Sequence, residues 1–172
     1  MMERVLVSIG SNIGDRLDFL QKAVDELGKV TGVTLRSVSS VYETEPVGKK
    51  DQPPFFNAAL ELASSIPAAQ VLAALKEVER KVGRTPSERW GPREIDLDLI
   101  YVGALVAEEG RLVLPHREAA NRRFVLTPLA EIAPEFVDPV RKVTLKDLLD
   151  SCSDSNSVVR ISSTIQLPAA EN

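Results

Sequence analysis

The chain has one cysteine, Cys152, and one histidine, His116, among 172 residues. A single thiol excludes an intramolecular disulfide, and one thiol with one imidazole is too few soft ligands for a structural zinc site. Any bound metal must therefore be held by oxygen. No stretch approaches the ~18 consecutive apolar residues of a membrane span. The opening run Met1–Gly10 carries an acid at Glu3 and a glycine break, which a signal peptide would not. A cytoplasmic protein is expected. Positive charge is not in excess either: 21 basic residues face 25 acidic ones for a formal net charge of −4, which argues against nucleic-acid and membrane partners. A glycine-rich phosphate cradle is also missing. Gly10-Ser11-Asn12-Ile13-Gly14 lacks both the Lys-Ser/Thr pair of a Walker A loop and the third glycine of a dinucleotide fingerprint. Lysine, finally, is absent between Lys81 and Lys142, where every basic residue is arginine and seven fall between Arg84 and Arg123.

What is present, 44% hydrophobic and 27% charged residues, suits one globular domain with a real core. Arg4–Ile9 reads as a strand that breaks at Gly10-Ser11-Asn12, and Leu17, Leu20, Val24 and Leu27 then recur at helical spacing. Thr34–Tyr42 reads as a second strand. Glu45–Pro54, with three prolines, is a loop. Phe55–Ala63 alternates as a strand, and Pro67 opens a helix through Val71, Leu75 and Val78 that ends near Gly83. A second long loop, Gly83–Glu94, leads into the strand Ile95–Tyr101. A hairpin over Ala104–Leu114, short helices over Arg117–Arg123 and Leu126–Ile132, and a last helix capped by Thr144 follow. This β-α-β, β-α-β order predicts an α+β fold, a ferredoxin-like split βαβ antiparallel sheet with helices packed on it and extra C-terminal elements. Residues 1–150 are expected to form the working domain. The polar tail 151–172 is expected to be either disordered or an added edge strand at Val158–Ile161.

The sharpest chemical signal is Asp96-Leu97-Asp98, because residues i and i+2 of a strand share a face. Two carboxylates so close demand a proton or a cation, and Mg²⁺ held by one or two carboxylates plus substrate phosphates is the natural neutraliser. Immediately before them Arg84, Arg89 and Arg93 lie in a loop with the only tryptophan, Trp90. Guanidinium forks match phosphate oxygens, so a polyphosphate substrate fits this loop. His116 beside Arg111 and Arg122 reads as a phosphate contact rather than a general base. Phe55 and Asn57 share one strand face, near Thr44, Val47 and Gly48, and suit a flat heterocycle with hydrogen-bonding edges.

Four motifs in register carry a resemblance: Ile9-Gly10-Ser11-Asn12; Tyr42–Gly48 with Asp51-Gln52-Pro53 and Phe56-Asn57-Ala58-Ala59; Arg89–Asp98; and Pro115-His116 with Asn121-Arg122 and Phe124. Over residues 3–150 the sequence resembles 6-hydroxymethyl-7,8-dihydropterin pyrophosphokinase of the folate pathway. The resemblance implies transfer of pyrophosphate from ATP to the dihydropterin hydroxymethyl group, with two Mg²⁺ on Asp96 and Asp98 and with Arg84 and Arg93 catalytic. It implies ATP contacts from Glu79, Trp90, Arg93, Leu99, Arg111, His116 and Arg122. The pterin falls to Thr44, Val47, Phe55, Asn57, Asp96 and Phe124, and neighbouring folate enzymes are implied as functional partners. Phe55 stands where the family commonly has tyrosine, Pro86 and Ser87 where a further basic residue is frequent, and Arg117 where tyrosine occurs. No residue stands out as a general base. The competing readings are a ferredoxin-like small-molecule binding or regulatory module without catalysis, and a metal-dependent nuclease or nucleotidyl transferase.

Overall fold

The computed structural model describes residues 1–169. Its elements are β1 (Glu3–Ser11), α1 (Arg16–Leu27), β2 (Val33–Val38), β3 (Tyr42–Thr44), β4 (Phe55–Ser64), α2 (Ala68–Val82) and β5 (Asp96–Val102). After them come the hairpin β6 (Ala107–Glu109) and β7 (Leu112–Leu114), then α3 (Arg123–Ile132), α4 (Leu145–Asp150) and β8 (Val158–Arg160). The main sheet runs β5-β1-β4-β3-β8, with β2 also on β4, and each of its strand pairs is antiparallel. This is the ferredoxin-like arrangement, the two halves interleaved so that β1 and β4 sit in the middle.

Period-two alternation divides the core. Val5, Val7, Ile9, Leu60, Leu62, Leu97 and Leu99 face α1 and α2, whose Leu20, Val24, Leu27, Val71, Leu75 and Val78 are buried against them. Leu6, Ala59 and Ile100 face the other way, onto Val125, Leu126 and Leu129 of α3 and Leu145 and Leu148 of α4. A bulge opposite Leu6–Val7 puts Tyr101 on this second face with Ile100. Each fully buried leucine or isoleucine contributes about 1.5–3 kcal/mol, so both faces of the sheet add to stability. Asp15 caps α1 by accepting from the Asp18 amide at 3.1 Å, and Thr144 caps α4 through the Asp147 amide at 3.1 Å.

Three sequence expectations are corrected. The single strand Thr34–Tyr42 is two, β2 and β3, because the ladder is altered at Ser39, whose amide still donates to the Ala59 carbonyl at 2.9 Å. Its hydroxyl takes the Ala59 amide at 2.8 Å while Glu131 of α3 accepts from the Ser40 amide at 2.8 Å. The helix expected over Arg117–Arg123 is only a 3-10 turn at Ala119–Asn121. The helix expected from Leu126 begins at Arg123 instead and runs through Pro128, whose lost hydrogen bond is offset by burial of Val125, Leu126, Pro128 and Leu129.

The tail crosses β3 as β8, Thr44 opposite Val158 and Tyr42 opposite Arg160. It then lays Ile165, 3% exposed, into the α1–α2 core, with reciprocal bonds between the Gln166 backbone and the Gln21 amide at 2.8 and 2.9 Å. The last part of the expected tail, residues 170–172, lies outside the described residues.

Candidate active site

The register sets the floor of the site. Gly10 pairs with Asn57 on one side and Asp96 on the other, and Ser8 pairs with Ala59 and Asp98. Asp96, Asp98 and Asn57 therefore share the α3–α4 face of the sheet, at the end those helices leave open. Leu97 and Leu99 are buried on the opposite face. Gly10 is required by this close approach: a Cβ there would lie 2.5 Å from Asn57 Oδ1 and 3.5 Å from Phe55 Cδ1. Asn57, 4% exposed, is locked by donating from Nδ2 to Thr44 Oγ1 at 2.6 Å.

One cleft above this floor is walled by Thr44, Val47 and Phe55 on one side and by Arg122 and Phe124 on the other. Trp90, Arg93, Asp96 and Asp98 close its remaining edge. All six residues assigned from sequence to the heterocycle thus lie in one cleft. The Arg122 guanidinium stands 5.7 Å from the Trp90 ring and 5.8 Å from Phe124, and that of Arg89 stands 5.1 Å from Trp90 on the loop.

The residues assigned to the nucleotide are spread more widely. Leu99, Arg111 and His116 line a second hollow, with Asp98 shared between it and the first cleft. Glu79 and Arg84 line a third with Arg111, which projects from the β6–β7 turn. Trp90, Arg93 and Arg122 stay in the first cleft. Lys76, which sequence reasoning missed, lines both the second and third hollows. Its signal was the spacing Leu72, Lys76, Glu79 on one helical face.

Charges are interlocked here. Glu79, 3% exposed, accepts from Arg84 Nη1 at 2.7 Å and from the Leu97 amide at 2.8 Å, with Lys76 Nζ 3.2 Å away. Asp96 accepts from Arg84 Nη1 and from Arg93 Nη1, each at 3.1 Å. Burial, and then the Asp96 charge beside it, push the Asp98 carboxyl up to about 7. A carboxylate so disfavoured as a bare anion fits a cation, and two oxygen donors from one strand suit Mg²⁺, which keeps its other positions for water and phosphate. Among the described residues no cluster of three or more His, Cys, Asp or Glu side chains could hold a metal ion by itself.

His116 is held to β5 by its amide donating to the Ile100 carbonyl at 3.1 Å. Its Nδ1 accepts from the Glu118 amide at 3.2 Å, so the neutral ring carries its proton on Nε2. Burial and then the charge of Arg122 lower its pKa. It is a neutral donor facing the second hollow.

Two further residues, which stand in the motifs that carry the family resemblance but were given no role there, tie the loops together. Asn12, 1% exposed, donates from Nδ2 to Gln52 Oε1 at 2.9 Å and to the Pro53 carbonyl at 3.0 Å, while its Oδ1 takes the Arg93 amide at 2.8 Å. Gln52 Nε2 in turn donates to the Trp90 carbonyl at 2.7 Å. Lys49 and Glu88 pair across the same gap. Trp90 holds a φ of +66°, an uncommon conformation for a bulky residue, packed on Gly48. The motifs mark Asn12 and Gln52, but neither carries a charge or period that would show its role.

Residues 6–134 match the model of one family, 7,8-dihydro-6-hydroxymethylpterin-pyrophosphokinase (HPPK). The chain belongs to the HPPK family. Among curated relatives, the 2-amino-4-hydroxy-6-hydroxymethyldihydropteridine pyrophosphokinase of Synechocystis is 42% identical over 145 residues, covering 84% of this chain and 74% of the relative. The enzyme of that name from Bacillus subtilis is 43% identical over 129 residues, covering 75% and 77%. Among solved structures, a Plasmodium falciparum HPPK-DHPS chain with pteroate superposes with a TM-score of 0.71 at 14% identity, over 87% of this chain. That likeness shows the shared fold. This chain spans 43% of that longer HPPK-DHPS chain. HPPK membership decides against the non-catalytic module and the nuclease as readings of the aspartates. No helix among the described residues is long and apolar enough to cross a membrane.

Proposed function

We propose that this HPPK-family chain transfers the β,γ-pyrophosphoryl group of ATP to the hydroxymethyl oxygen of 6-hydroxymethyl-7,8-dihydropterin, in folate biosynthesis. The hydroxymethyl oxygen forms a bond to the β-phosphorus, the bond from that phosphorus to the α,β-bridging oxygen breaks, AMP leaves, and the hydroxyl proton is released. The observation that carries this reading is the junction of two differently built hollows at Asp98, one walled by aromatics and an amide, the other by arginine, lysine and histidine.

The chain's own groups supply the rest. Phe55 and Phe124 sandwich the pterin ring, while Asn57, Thr44 and the backbone near Val47 meet its polar edges. Arg93, Arg111, Arg122 and the Nε2–H of His116 hold phosphate oxygens, with Trp90, Leu99 and Glu79 bounding the nucleotide. Arg84 moves onto the transferring group, where charge spreads in the transition state. Asp96 and Asp98 would hold two Mg²⁺, which when bound neutralise triphosphate charge. The reaction is assigned to the cytoplasm, with other folate enzymes as functional neighbours, in line with the relative named bifunctional protein FolKE of Lactococcus lactis.

The deciding assay is AMP formation from ATP with and without the dihydropterin. Pterin-dependent AMP is expected, and Asp96→Ala or Asp98→Ala should abolish it while far-UV dichroism stays unchanged. Near-normal turnover with Mg²⁺ by either variant would remove the metal assignment. AMP formation indifferent to the pterin would remove the substrate.

A further inference from the structure

The pocket's two walls come from distant parts of the chain, Thr44 to Val47 at the end of β3 and Arg122 to Phe124 at the start of α3. The same short piece of the tail, Asp154 to Arg160, is fastened to both. It lies beyond residue 134, where the match to the family model stops.

At the α3 wall the fastening replaces a missing cap. Arg122 occupies the N-cap position and offers no side-chain acceptor of its own. Asp154 Oδ2 takes the Arg123 amide at 3.0 Å, a carboxylate from the tail placed where the helix dipole favours it. The Arg123 side chain turns back to donate from Nε to the Asp154 carbonyl at 2.8 Å and from Nη2 to the Cys152 carbonyl at 2.9 Å. Arg123 thus grips the tail while its neighbours Arg122 and Phe124 line the cleft.

At the other wall, Glu45 Oε1 accepts from the Ser157 amide at 2.6 Å, and the Ser157 carbonyl accepts from the Glu45 amide at 3.4 Å. β8 continues this as a ladder along β3, Val158 opposite Thr44. Between the two attachments Asp154 Oδ1 takes the Asn156 amide at 2.9 Å, which bends the three-residue span into a fixed turn. Thr44 is the residue that locks Asn57, so a shift of the tail is felt at the floor of the cleft.

We infer that Asp154 and Ser157 are positioning residues for the pterin side of the site, the tail acting as a tie that sets the separation of the Thr44–Val47 and Arg122–Phe124 walls. The inference rests on the pyrophosphokinase reading and adds to it a specificity element outside the matched region. Displacing a stacking wall by even an ångström weakens most the ligand that needs both walls, and less the one that meets the α3 wall through Arg122 alone.

Asp154→Ala removes both acceptor oxygens of the turn, and Asp154→Asn keeps one of the two. Ser157→Pro deletes the amide that Glu45 accepts from, and Ser157→Ala keeps it. Asp154→Ala and Ser157→Pro are expected to raise the pterin KM by about tenfold or more and the ATP KM, which depends on the α3 wall through Arg122 alone, by about threefold at most, whereas Ser157→Ala stays near the intact values and Asp154→Asn, with one acceptor left, falls between. Amide exchange at residues 44–47 and 122–124 should quicken most in the first pair. The inference is overturned if the first pair matches the intact chain in pterin KM and exchange, or if ATP and pterin KM rise by the same factor. An intact chain that forms no pterin-dependent AMP sinks the functional reading instead, and the exchange arm then still decides whether the tail fixes the two walls.

Discussion

Arg84 Nη1 sits 3.1 Å from Asp96 Oδ1 while the same nitrogen is 2.7 Å from Glu79 Oε2. The guanidinium is thus parked between carboxylates of α2 and β5. Under the proposed function it must exchange those anions for phosphate, and the exchange is a step that Arg84→Ala removes. Losing one transition-state contact of this type costs about 10²–10³ in rate. Single-turnover AMP formation should slow by that factor, with pterin affinity unchanged. An equal loss of both would place Arg84 in binding alone.

Gly10→Ala tests the floor of the cleft. The new methyl would meet Asn57 Oδ1 at 2.5 Å, and Asn57 is held by its bond to Thr44, so the neighbour has little room to give. Overpacking of this kind costs about 1–3 kcal/mol of stability. Pterin binding, read by titration calorimetry, should weaken by about tenfold or more for a comparable misplacement of the amide. ATP binding should persist.

His116 offers a clean pH readout because it is the only histidine. Burial and the Arg122 charge hold its pKa below the ordinary 6.5. The unfolded chain therefore takes up the proton at higher pH than the folded one, and stability falls as pH drops from 6.5 toward the lowered value, then levels off below it. The imidazole resonance in an NMR titration should move at a pH below 6.5. His116→Gln should flatten the stability curve across that window.

Asp138, fully buried, accepts the Tyr101 hydroxyl at 2.6 Å and the amides of Val140 and Arg141 at 2.8 and 2.9 Å. Burial alone would raise its pKa, but these donors and the Arg141 charge lower it below the ordinary 3.8. The stability it contributes is full above that value and lost as pH falls through the lowered one. Asp138→Ala strands a buried hydroxyl and should cost about 2–4 kcal/mol at neutral pH, with a shallower acid limb in urea unfolding.

The parts of this molecule that were legible beforehand are those encoded by period and chemistry. The alternation in Ile95–Tyr101 put Asp96 and Asp98 on the face away from Leu97 and Leu99, and the register agrees. The helical spacing of Val71, Leu75 and Val78 located α2. The break at Ser39–Val41 was hidden because rough alternation carries on through Val38, Val41 and Tyr42 on either side of two serines, and what the Ser40 amide and hydroxyl bond there is a carboxylate from α3, remote in sequence. The start of α3 was hidden for a related reason, since its cap is supplied by Asp154. Asn12 and Gln52 stand in the family motifs, but they act through neutral amides that bond each other and backbone groups remote in sequence. Nothing local shows that role.

The alternation at the head of β4 also bears on how such a chain can change over time. Phe55 and Asn57 look into the cleft, while Phe56 lies under the Arg16 guanidinium, 3.7 Å from its ring centre, on the other side. Inserting or deleting one residue between Pro54 and Asn57 would exchange the two faces, aiming Phe56 at the pterin and turning the amide away. Replacement of a side chain there alters only what the cleft prefers. Drift in this segment is therefore confined to substitution.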